Sequence, residues 1–453
     1  MTNYASNIIL TNCVFRNNES QRGGGIFHSA YGETMPTMTL INCQFIANSA
    51  RGGFGFLDTF GGGAIYSISE ANSTLTNCTF SGNRSLAYRG GAIMAPGSPA
   101  LEFNNCTFSG NWAKYKYGPS HTIYGNATLT NCIHRAATAG LVYDLLISGP
   151  VTYSNIQGGW LGVGNIDVDP CFAKPGCWVD VNDPNIIVEP NDPNALWLDG
   201  DYHLQSAAGR WDPDANQWAV DANTSLCIDA GNPGCDLGDE PNDANNIRIN
   251  MGAHGGTAEA SKSPANWALL ADLTNDRKVD YNDLAAFSDY WLEVGECLPS
   301  DLSRNQSANF ADFGIFALQW LQTTTTQSAI SYQIGDCSSG ESALSAVEQS
   351  SETRFSVTVD GRYIHFEDTM VANCCPDELE LQMTAEGNLI AIHEIERVTM
   401  PCLCICEYPV TATLGPFEPG MYTLEVYQDS YYQGSLEGTY FVGSTTVTID
   451  PAE

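Results

Sequence analysis

A short motif recurs along the first third of the chain and restricts the folds that the chain can adopt. The motif is Asn-Cys, one variable residue and Phe, followed three residues later by a second Asn. Complete copies begin at Asn12, Asn42, Asn77 and Asn105, and a shortened copy begins at Asn131. The steps between successive cysteines are 30, 35, 28 and 26 residues. A period of this length predicts a solenoid in which each copy forms one coil.

Stacking explains why the same residue types return in each coil. Strands of successive coils pair in parallel about 4.8 Å apart, so equivalent side chains lie above one another. The Cys and the Phe are two positions apart, so both are expected to face the interior. We expect the Asn before each Cys to lie at a bend, where its amide bonds the neighbouring coil and forms an Asn ladder. The motif cysteines are expected to remain free thiols, because stacked parallel side chains give poor disulfide torsions.

Glycine turns complete the repeat. They precede short apolar strands at Gly24-Gly25-Ile26-Phe27, Gly62-Gly63-Ala64-Ile65 and Gly90-Gly91-Ala92-Ile93. The NCxFxxN and GGAI repeats together resemble those of polymorphic outer-membrane-type passenger domains, which are right-handed parallel β-helices of secreted bacterial proteins. The resemblance covers roughly residues 7–165 and implies a mainly β, pectin-lyase-like fold at the cell surface. Such β-helices serve as lyases, hydrolases, adhesins or spacers, so the resemblance leaves the function open.

The β-helix is expected to end in a loop-rich region. We place the β-helix at residues 1–165 and its closing coils and cap at residues 166–262. Met1 opens almost directly onto a coil, so we expect the natural chain to carry more coils and an export signal upstream. The phrases Asp201-Tyr202-His203-Leu204 and Cys227-Ile228-Asp229-Ala230-Gly231 resemble the closing segment of secreted β-helix proteins. Two close pairs of cysteines predict local disulfides, Cys171 with Cys177 and Cys227 with Cys235.

The charge of the chain restricts the classes of partner that it can bind. The net charge is −34, which disfavours nucleic acid. Residues 1–135 hold eight Lys and Arg against five Asp and Glu, a local charge of +3, so the remainder carries −37. The acidic residues after position 135 favour binding of hard cations such as Ca²⁺. Sixteen cysteines favour an exported protein. The sequence contains no apolar run of 18 residues, so no membrane span is predicted.

Residues 272–321 contain a duplication with an offset of 29 residues. Each half reads as a 12-residue, EF-hand-like loop followed by an amphipathic helix, with oxygen-bearing residues at positions 1, 3, 5, 9 and 12 and a carbonyl at position 7. The first loop offers Asp272, Thr274, Asp276, Asp280 and Asp283 with the carbonyl of Lys278, and the second offers Asp301, Ser303, Asn305, Asn309 and Asp312 with the carbonyl of Ser307. Four carboxylates against two predict that the first loop binds Ca²⁺ more tightly.

The paired loops resemble a type I dockerin, the calcium-folded module that attaches cellulosomal enzymes to cohesins. The resemblance covers residues 266–322 and implies Ca²⁺ as a cofactor and a cohesin-like domain as a partner. Arg277 and Gln306 occupy position 6, where glycine is usual, and are expected to strain the turn. Tyr281 and Phe310 stand where many dockerins begin the Ser-Thr pair that they present to cohesin. A calcium-stiffened linker between two domains is the alternative interpretation.

The sequence pattern in the last part of the chain predicts a further domain. Residues 323–328 form a Thr-rich linker, and residues 329–453 alternate in the manner of strands, which predicts a Cys-rich β-sandwich. The phrase Pro419-Gly420-Met421-Tyr422-Thr423-Leu424 resembles a strand of bacterial immunoglobulin- and fibronectin-like modules. Six cysteines allow up to three disulfides, while a zinc site is disfavoured because CxxC spacing is missing. These cysteines are Cys337, Cys374, Cys375, Cys402, Cys404 and Cys406.

A cationic and aromatic loop follows Asn111 and is the candidate for contact with carbohydrate. The glycan-binding candidates are Trp112, Lys114, Tyr115, Lys116 and Tyr117. Neighbouring coils add Arg84, Arg89 and Arg135, which together could bind an anionic polysaccharide or cell-surface glycan. Neither a nucleophile elbow nor HExxH occurs, so no catalytic residue is assigned. We expect a secreted modular surface or matrix protein for adhesion or glycan binding. A polysaccharide lyase or glycoside hydrolase carried by its dockerin and a purely structural spacer are the alternatives.

Overall fold

The computed structural model divides the chain into two compact units, Met1–Thr324 and Thr325–Glu453. It describes residues 1–4, 6–30, 35–52, 61–68, 72–86, 89–96, 101–114, 121–137, 145–241, 245–324, 329–335, 337, 341–342, 354–386, 388–399, 404–415, 417, 419–432 and 435–449. The chain is mainly β, with two helices in the described residues. Neither of those helices is long and apolar enough to cross a membrane.

Three parallel sheets run along the first half of the first unit, and each coil contributes one strand to each sheet. The first sheet contains Thr2–Tyr4, Ile26–Ser29, Ile65–Ile68, Ile93–Ala95, Ile123–Gly125 and Leu145–Ile147. The second contains Ile8–Thr11, Met38–Ile41, Ser73–Thr76, Leu101–Asn104, Ala127–Thr130 and Val151–Thr152. The third, which we call the motif sheet, contains Val14–Arg16, Gln44–Ile46, Thr79–Ser81, Thr107–Ala113, Ile133–Ala136 and Asn155–Ile156, with Glu19–Ser20, Ser49–Ala50 and Arg84–Ser85 beside it.

The register places identical motif residues above one another. Phe80 pairs with Phe45 on one side and with Phe108 on the other. Their rings stack with centroids 4.9 and 4.8 Å apart, and all three are fully buried. The motif cysteines are free thiols, and Cys43, Cys78, Cys106 and Cys132 are fully buried while Cys13 is half-buried. The predicted inward Cys and Phe are therefore confirmed.

The Asn ladder runs mainly through a different Asn from the predicted one. Asn48, Asn83 and Asn111, which end the motif, bond one another through side-chain amides 2.9 Å apart. The Asn before each Cys instead adopts a left-handed backbone, with φ between 49° and 56° at the five copies. Asn131 still donates to Asn105 Oδ1 at 3.2 Å, so the predicted ladder is present at that one pair among the described residues. Asn77 donates instead to the carbonyls of Ala253 and Gly255.

Residues 172–260, which we call the closing segment, extend along the side of the coils. The strands of this segment are antiparallel, at Phe172–Lys174, Cys177–Asp180, Asp183–Ile187, Ala195–Leu198, Asp201–Leu204, Arg210–Asp212 and Gln217–Ala219. Trp178 and Trp197 pack on Ile46 of the motif sheet, and the Trp178 indole donates to the Gly110 carbonyl. The closing segment therefore covers part of the motif sheet as well as ending the stack.

The two local disulfides predicted for this region are wrong. Cys171, Cys177 and Cys227 are free thiols, and Cys235 is bridged to Cys297 instead. Cys227 is fully buried in the core beside Ile228 and faces the amide of Asn155 at 3.0 Å. The turn after Gly231 carries Cys235 toward the chain that follows the first helix, where Gly234 lies against Leu298. Cys227 and Cys235 are close in sequence but do not pair, because their side chains face different parts of the structure.

Helices α1 (Tyr281–Ser288) and α2 (Phe310–Leu318) end the first unit. Both bury one face in a shared core of Leu273, Val279, Phe287, Leu302 and Phe316. The pair belongs to the same compact unit as the β-helix, so it is not a free-standing module.

The second unit contains two sheets around one core. The five-stranded sheet consists of Ala329–Ile334, Glu341–Ser342, Ser356–Asp360, Tyr363–Asn373 and Cys404–Gly415, and the four-stranded sheet of Glu378–Glu386, Leu389–Val398, Gly420–Tyr432 and Ser435–Ile449. Buried residues of both sheets, among them Phe366 and Leu424, form a single cluster. Disulfides join Cys337 to Cys406 and Cys374 to Cys404, and Cys375 is also disulfide-bonded. Cys402 lies outside the described residues.

Candidate metal centre

Each helix of the pair begins with a capping box that fixes the last acidic residue of its loop. The backbone N–H of Asp280 donates to Asp283 Oδ2 at 2.8 Å, and the backbone N–H of Asn309 donates to Asp312 Oδ2 at the same distance. A capping box satisfies N–H groups that the first helical turn leaves open. The residue at loop position 12 is thereby held in one place, with its other oxygen turned into the loop.

Three carboxylates converge in the first loop. Oxygen atoms of Asp272, Asp276 and Asp283 lie within 4.8 Å of one another. Asp272 and Asp283 are buried, at 5% and 0% exposure, whereas Asp276 is exposed. Burial raises the pKa of Asp272 to about 6 and also raises the pKa of Asp276. Three like-charged carboxylates this close together, two of them buried, favour a bound cation.

Backbone amides hold these carboxylates in position. Asp272 accepts hydrogen bonds from the N–H groups of Asp276 and Arg277, at 3.1 and 2.8 Å. Asp283 Oδ1 accepts from the N–H and the hydroxyl of Thr274, both at 2.9 Å. The Lys278 ammonium lies 2.9 Å from Asp280 and 3.5 Å from Asp276. The loop therefore brings three of its predicted carboxylates together, whereas Asp280 accepts from the Asn282 N–H and pairs with Lys278 instead of joining that cluster.

The second loop repeats this arrangement with fewer charges. Asp301 accepts from the N–H groups of Asn305 and Gln306, at 3.0 and 2.5 Å. Asp312 Oδ1 accepts from the Ser303 N–H at 2.8 Å. Asp301 and Asp312 are both buried, at 1% and 0% exposure. Asn309 donates to the Ser307 carbonyl at 2.9 Å, so this predicted ligand oxygen is already engaged.

Position 6 of both loops has the conformation that glycine usually supplies. The φ angle is 71° at Arg277 and 68° at Gln306. The backbone therefore follows the sharp turn in spite of the side chains, at a cost of roughly 1–2 kcal/mol for each L residue in the left-handed region. Arg277 offsets part of this cost, because its guanidinium lies 4.5 Å from the Trp267 ring centroid and donates to the Trp267 carbonyl.

The two loop–helix halves make equivalent contacts with each other. Val279 in the first loop and Ala308 in the second each pair with the chain that leaves the opposite helix, through the bonds of Leu321 and Leu292 to their carbonyls. Tyr281 packs edge-on against Trp320, and Phe310 packs edge-on against Trp291 in the same way. Each loop is therefore supported by the other half, so the pair is one structural unit.

Sequence reasoning missed the residues that attach this pair to the β-helix. Arg248 is 1% exposed and donates to the carbonyls of Asp272, Ala230 and Gly231. Asn275 of the first loop donates to the Gly164 carbonyl at 2.6 Å. The Cys235–Cys297 disulfide adds a covalent link. An Arg in an acidic segment was the one available signal, since Arg248, Cys235 and Cys297 lie outside the repeated loops and Asn275 is not one of the ligand positions of its loop.

The glycan-binding candidates are only partly described. Trp112 is half-buried and pairs in register with Arg84, and Lys114 is exposed. Tyr115, Lys116 and Tyr117 lie outside the described residues. The surrounding arginines have protein contacts: Arg84 lies over the Trp178 ring, Arg89 over the Tyr124 ring, and Arg135 is 3.6 Å from Asp167. The described cations therefore do not form one free groove.

Comparison with known proteins supports the fold of the first unit. Residues 56–191 match a family model described as a right handed beta helix region. Neither the curated proteins nor the solved structures contain a match to this chain. Together with the stacked parallel sheets, the family match supports a right-handed β-helix. The matched range ends before the helical pair begins, so it carries no information on that pair.

Proposed function

We propose that the chain is a calcium-stabilised β-helix scaffold of the bacterial cell surface, in which the dockerin-like pair of residues 266–322 binds two Ca²⁺ ions. The observation that carries the proposal is the convergence of Asp272, Asp276 and Asp283 within 4.8 Å. Oxygen ligands on a 12-residue loop are the set that Ca²⁺ prefers. Because the first loop also bonds Gly164 and Arg248, calcium would fasten the end of the β-helix rather than only a mobile module.

The test is calorimetric titration of the whole chain with Ca²⁺ after treatment with EDTA. A fragment of the helical pair would lose Arg248 and the Cys235 bridge, so it is not a substitute for the whole chain. We expect two binding events, the tighter one lost in Asp283→Asn and the weaker one lost in Asp312→Asn. Asp289→Asn, an exposed position at the end of α1, is the control and should bind as the parent does. Absence of binding heat in the parent, or unchanged isotherms in both loop variants, would refute the proposal.

An extracellular location is part of the proposal. Disulfides in both units support it, because such bonds persist in oxidising compartments. We interpret the second unit as an immunoglobulin-like β-sandwich, since its two sheets share one core. Protease added to intact producing cells should cleave the protein, and protection until lysis would contradict a surface location.

A cohesin-like partner remains a proposal that the exposed aromatic positions support. Tyr281 and Phe310 are 76% and 78% exposed, at equivalent positions of the two halves. They occupy the loop positions that dockerins present to cohesins. Binding to a panel of cohesin domains in calcium should be lost in Tyr281→Ala with Phe310→Ala, while calcium binding is kept. If none of the cohesins binds the parent, this partner class is wrong.

Glycan binding is a second candidate function, favoured by the register of Trp112 beside Arg84 and by the exposed Lys114. An aromatic ring can stack on a sugar face while an ammonium pairs with a uronate. Retention on acidic polysaccharides should fall in Trp112→Ala and in Lys114→Ala and weaken with salt. Retention without absorbance near 235 nm would indicate a binding module, whereas new absorbance from unsaturated uronate would indicate a lyase. Equal retention of parent and variants would favour a plain structural spacer.

A further inference from the structure

A second cluster of ligand-type side chains lies in the closing segment, away from the calcium loops. His203 comes from the strand Asp201–Leu204, and His254 and Glu259 come from the chain after Met251. The two imidazole rings stack with centroids 3.6 Å apart. Glu259 Oε2 lies 3.4 Å from His203 Nε2 and 3.8 Å from His254 Nδ1. All three ligand atoms are within 4.8 Å of one another.

His203 has an unused buried nitrogen that points into this cluster. Its side chain is 3% exposed, and its Nδ1 lies 2.5 Å from Asp201 Oδ1. A carboxylate accepts hydrogen bonds, so Nδ1 carries a proton, and in the neutral imidazole Nε2 then presents a lone pair. That Nε2 makes no hydrogen bond to any residue in the part of the chain that the structure describes. A buried polar atom without a partner costs roughly 1–3 kcal/mol, so it calls for a ligand.

We propose that His203 Nε2, His254 Nδ1 and the Glu259 carboxylate bind a divalent first-row transition metal ion, with Zn²⁺ as the best fit. Two imidazoles and one carboxylate are a donor set that suits Zn²⁺, whereas Ca²⁺ takes oxygen ligands. The Asp201–His203 bond repeats the carboxylate–histidine arrangement that orients metal-bound imidazoles. The site is therefore distinct in chemistry from the two loops.

Binding requires one local movement. The ring planes differ by 23°, and a zinc ion binds imidazole nitrogen in the ring plane at about 2.0–2.1 Å. The His254 ring therefore has to tilt until its Nδ1 and His203 Nε2 aim at one point. His254 has room for this change because its side chain is 27% exposed, and Glu259 is 52% exposed. The exposed side leaves a coordination position for water or for a ligand from outside.

The ion would connect parts of the closing segment that are distant in sequence. His203 belongs to a strand that pairs with Phe172–Lys174, whereas the Gly252 N–H donates to the Asn131 carbonyl and the Ala253 N–H donates to Thr107 of the motif sheet. A shared metal would hold these two layers together, and binding to the folded state alone adds stability. The ligands, the titrated ion and the variants differ from those of the proposed calcium loops, so failure of either proposal leaves the other intact.

The experiment is titration of the whole chain with ZnCl₂ by calorimetry, in saturating Ca²⁺ so that the loop carboxylates do not compete. We expect one equivalent of Zn²⁺, and an affinity weaker by at least roughly 10–100-fold in Glu259→Gln and in His254→Gln, because loss of a direct ligand costs at least as much as loss of an outer-shell partner. Glu189→Gln, an exposed carboxylate elsewhere in the closing segment, is the matched control and should bind as the parent does. Substitution with Co²⁺ should give visible absorption bands in the parent and lose them in both variants.

Two outcomes would overturn the proposal. The first is the absence of saturable Zn²⁺ binding in the folded parent. The second is equal affinity in the parent, Glu259→Gln and His254→Gln, which would assign the zinc to free thiols such as Cys171 and Cys177. Circular dichroism of each variant confirms that the fold is retained, and both substituted side chains are partly exposed, which favours folding.

Discussion

Asn83 connects three coils through one side-chain amide. Its Oδ1 accepts from the N–H and the side chain of Asn48, and its Nδ2 donates to Phe45 O and to Asn111 Oδ1. The residue is fully buried, so Asn83→Ala leaves several polar groups without partners. We expect a loss of about 2–4 kcal/mol in the free energy of unfolding, measured by urea denaturation.

Asn18→Ala is the internal control for that measurement. Asn18 ends the ladder, is exposed, and only donates to Asn48. Its removal should cost less than roughly 1 kcal/mol because water replaces the lost bond. Equal effects of the two substitutions would show that the ladder carries no cooperative stability.

Glu240 makes the stability of the closing segment depend on pH. It is buried and accepts from the N–H groups of Asn250 and Gly256 and from the amide of Asn246. Burial raises the pKa of Glu240 from an ordinary 4.5 to about 7 and raises that of nearby Asp229 to about 6. The folded chain then holds protons that the unfolded chain releases, so this stability is full below pH 4.5 and is lost as the pH rises through 7.

Glu240→Gln is expected to flatten this dependence. The parent should lose on the order of 2 kcal/mol between about pH 5 and pH 8 through Glu240, and the variant should lose less. Urea denaturation at the two pH values measures the difference. Parallel curves for the parent and the variant would mean that Glu240 does not titrate in this range.

Residue-level prediction succeeded where the repeat determines the environment. Burial of Cys78 and Phe80 follows from strand alternation within a coil, which is a local property. The ladder was assigned to the Asn before the Cys, which bonds across coils only at Asn105 and Asn131 among the described residues, because the left-handed backbone there depends on how the coil turns. The three residues of the proposed zinc site lie 51 and 5 positions apart, a spacing without any recognisable motif, so only the tertiary structure brings them together.

Among the structural elements, the two proposed calcium loops share a left-handed backbone at position 6 but carry different side chains there. Gln306 is exposed at a φ of 68°, so Gln306→Gly removes strain and should raise stability in Ca²⁺ by roughly 1 kcal/mol. Arg277→Gly removes the same strain but also the contact with Trp267, so it should be neutral or destabilising. Thermal unfolding in saturating Ca²⁺ measures both variants, and a stabilising Arg277→Gly would show that the contact with Trp267 adds little.

The duplication predicted loops and helices but not their attachment. A 29-residue offset and ligand spacing are encoded locally, and α1 and α2 follow the loops as that pattern requires. Arg248 and Cys297 lie outside or between the repeats, so their partners depend on packing that the sequence pattern does not record. Local pairing of Cys227 with Cys235 was wrong for the same reason.

For the whole molecule, the two compact units predict two thermal transitions. Each unit has its own core and its own disulfides. Ca²⁺ at about 100 times its Kd should stabilise the first unit by about 2.7 kcal/mol per site and leave the second unit unchanged. Calorimetric scans in Ca²⁺ and in EDTA should therefore differ in one transition only, and equal shifts of both transitions would contradict this assignment.

Because the closing segment packs along the coils, the coils are synthesised before the residues that cover them. The side chain of Asn77 bonds the carbonyl of Ala253, which is 176 residues further along the chain. At about 5–20 residues per second, synthesis places roughly 9–35 s between the two. Trp178 and Trp197 are made partway through that interval, and until then the apolar surface at Ile46 of the motif sheet is open to other nascent chains. The position of the closing segment in the chain thereby sets how long the apolar surface of each new copy can aggregate.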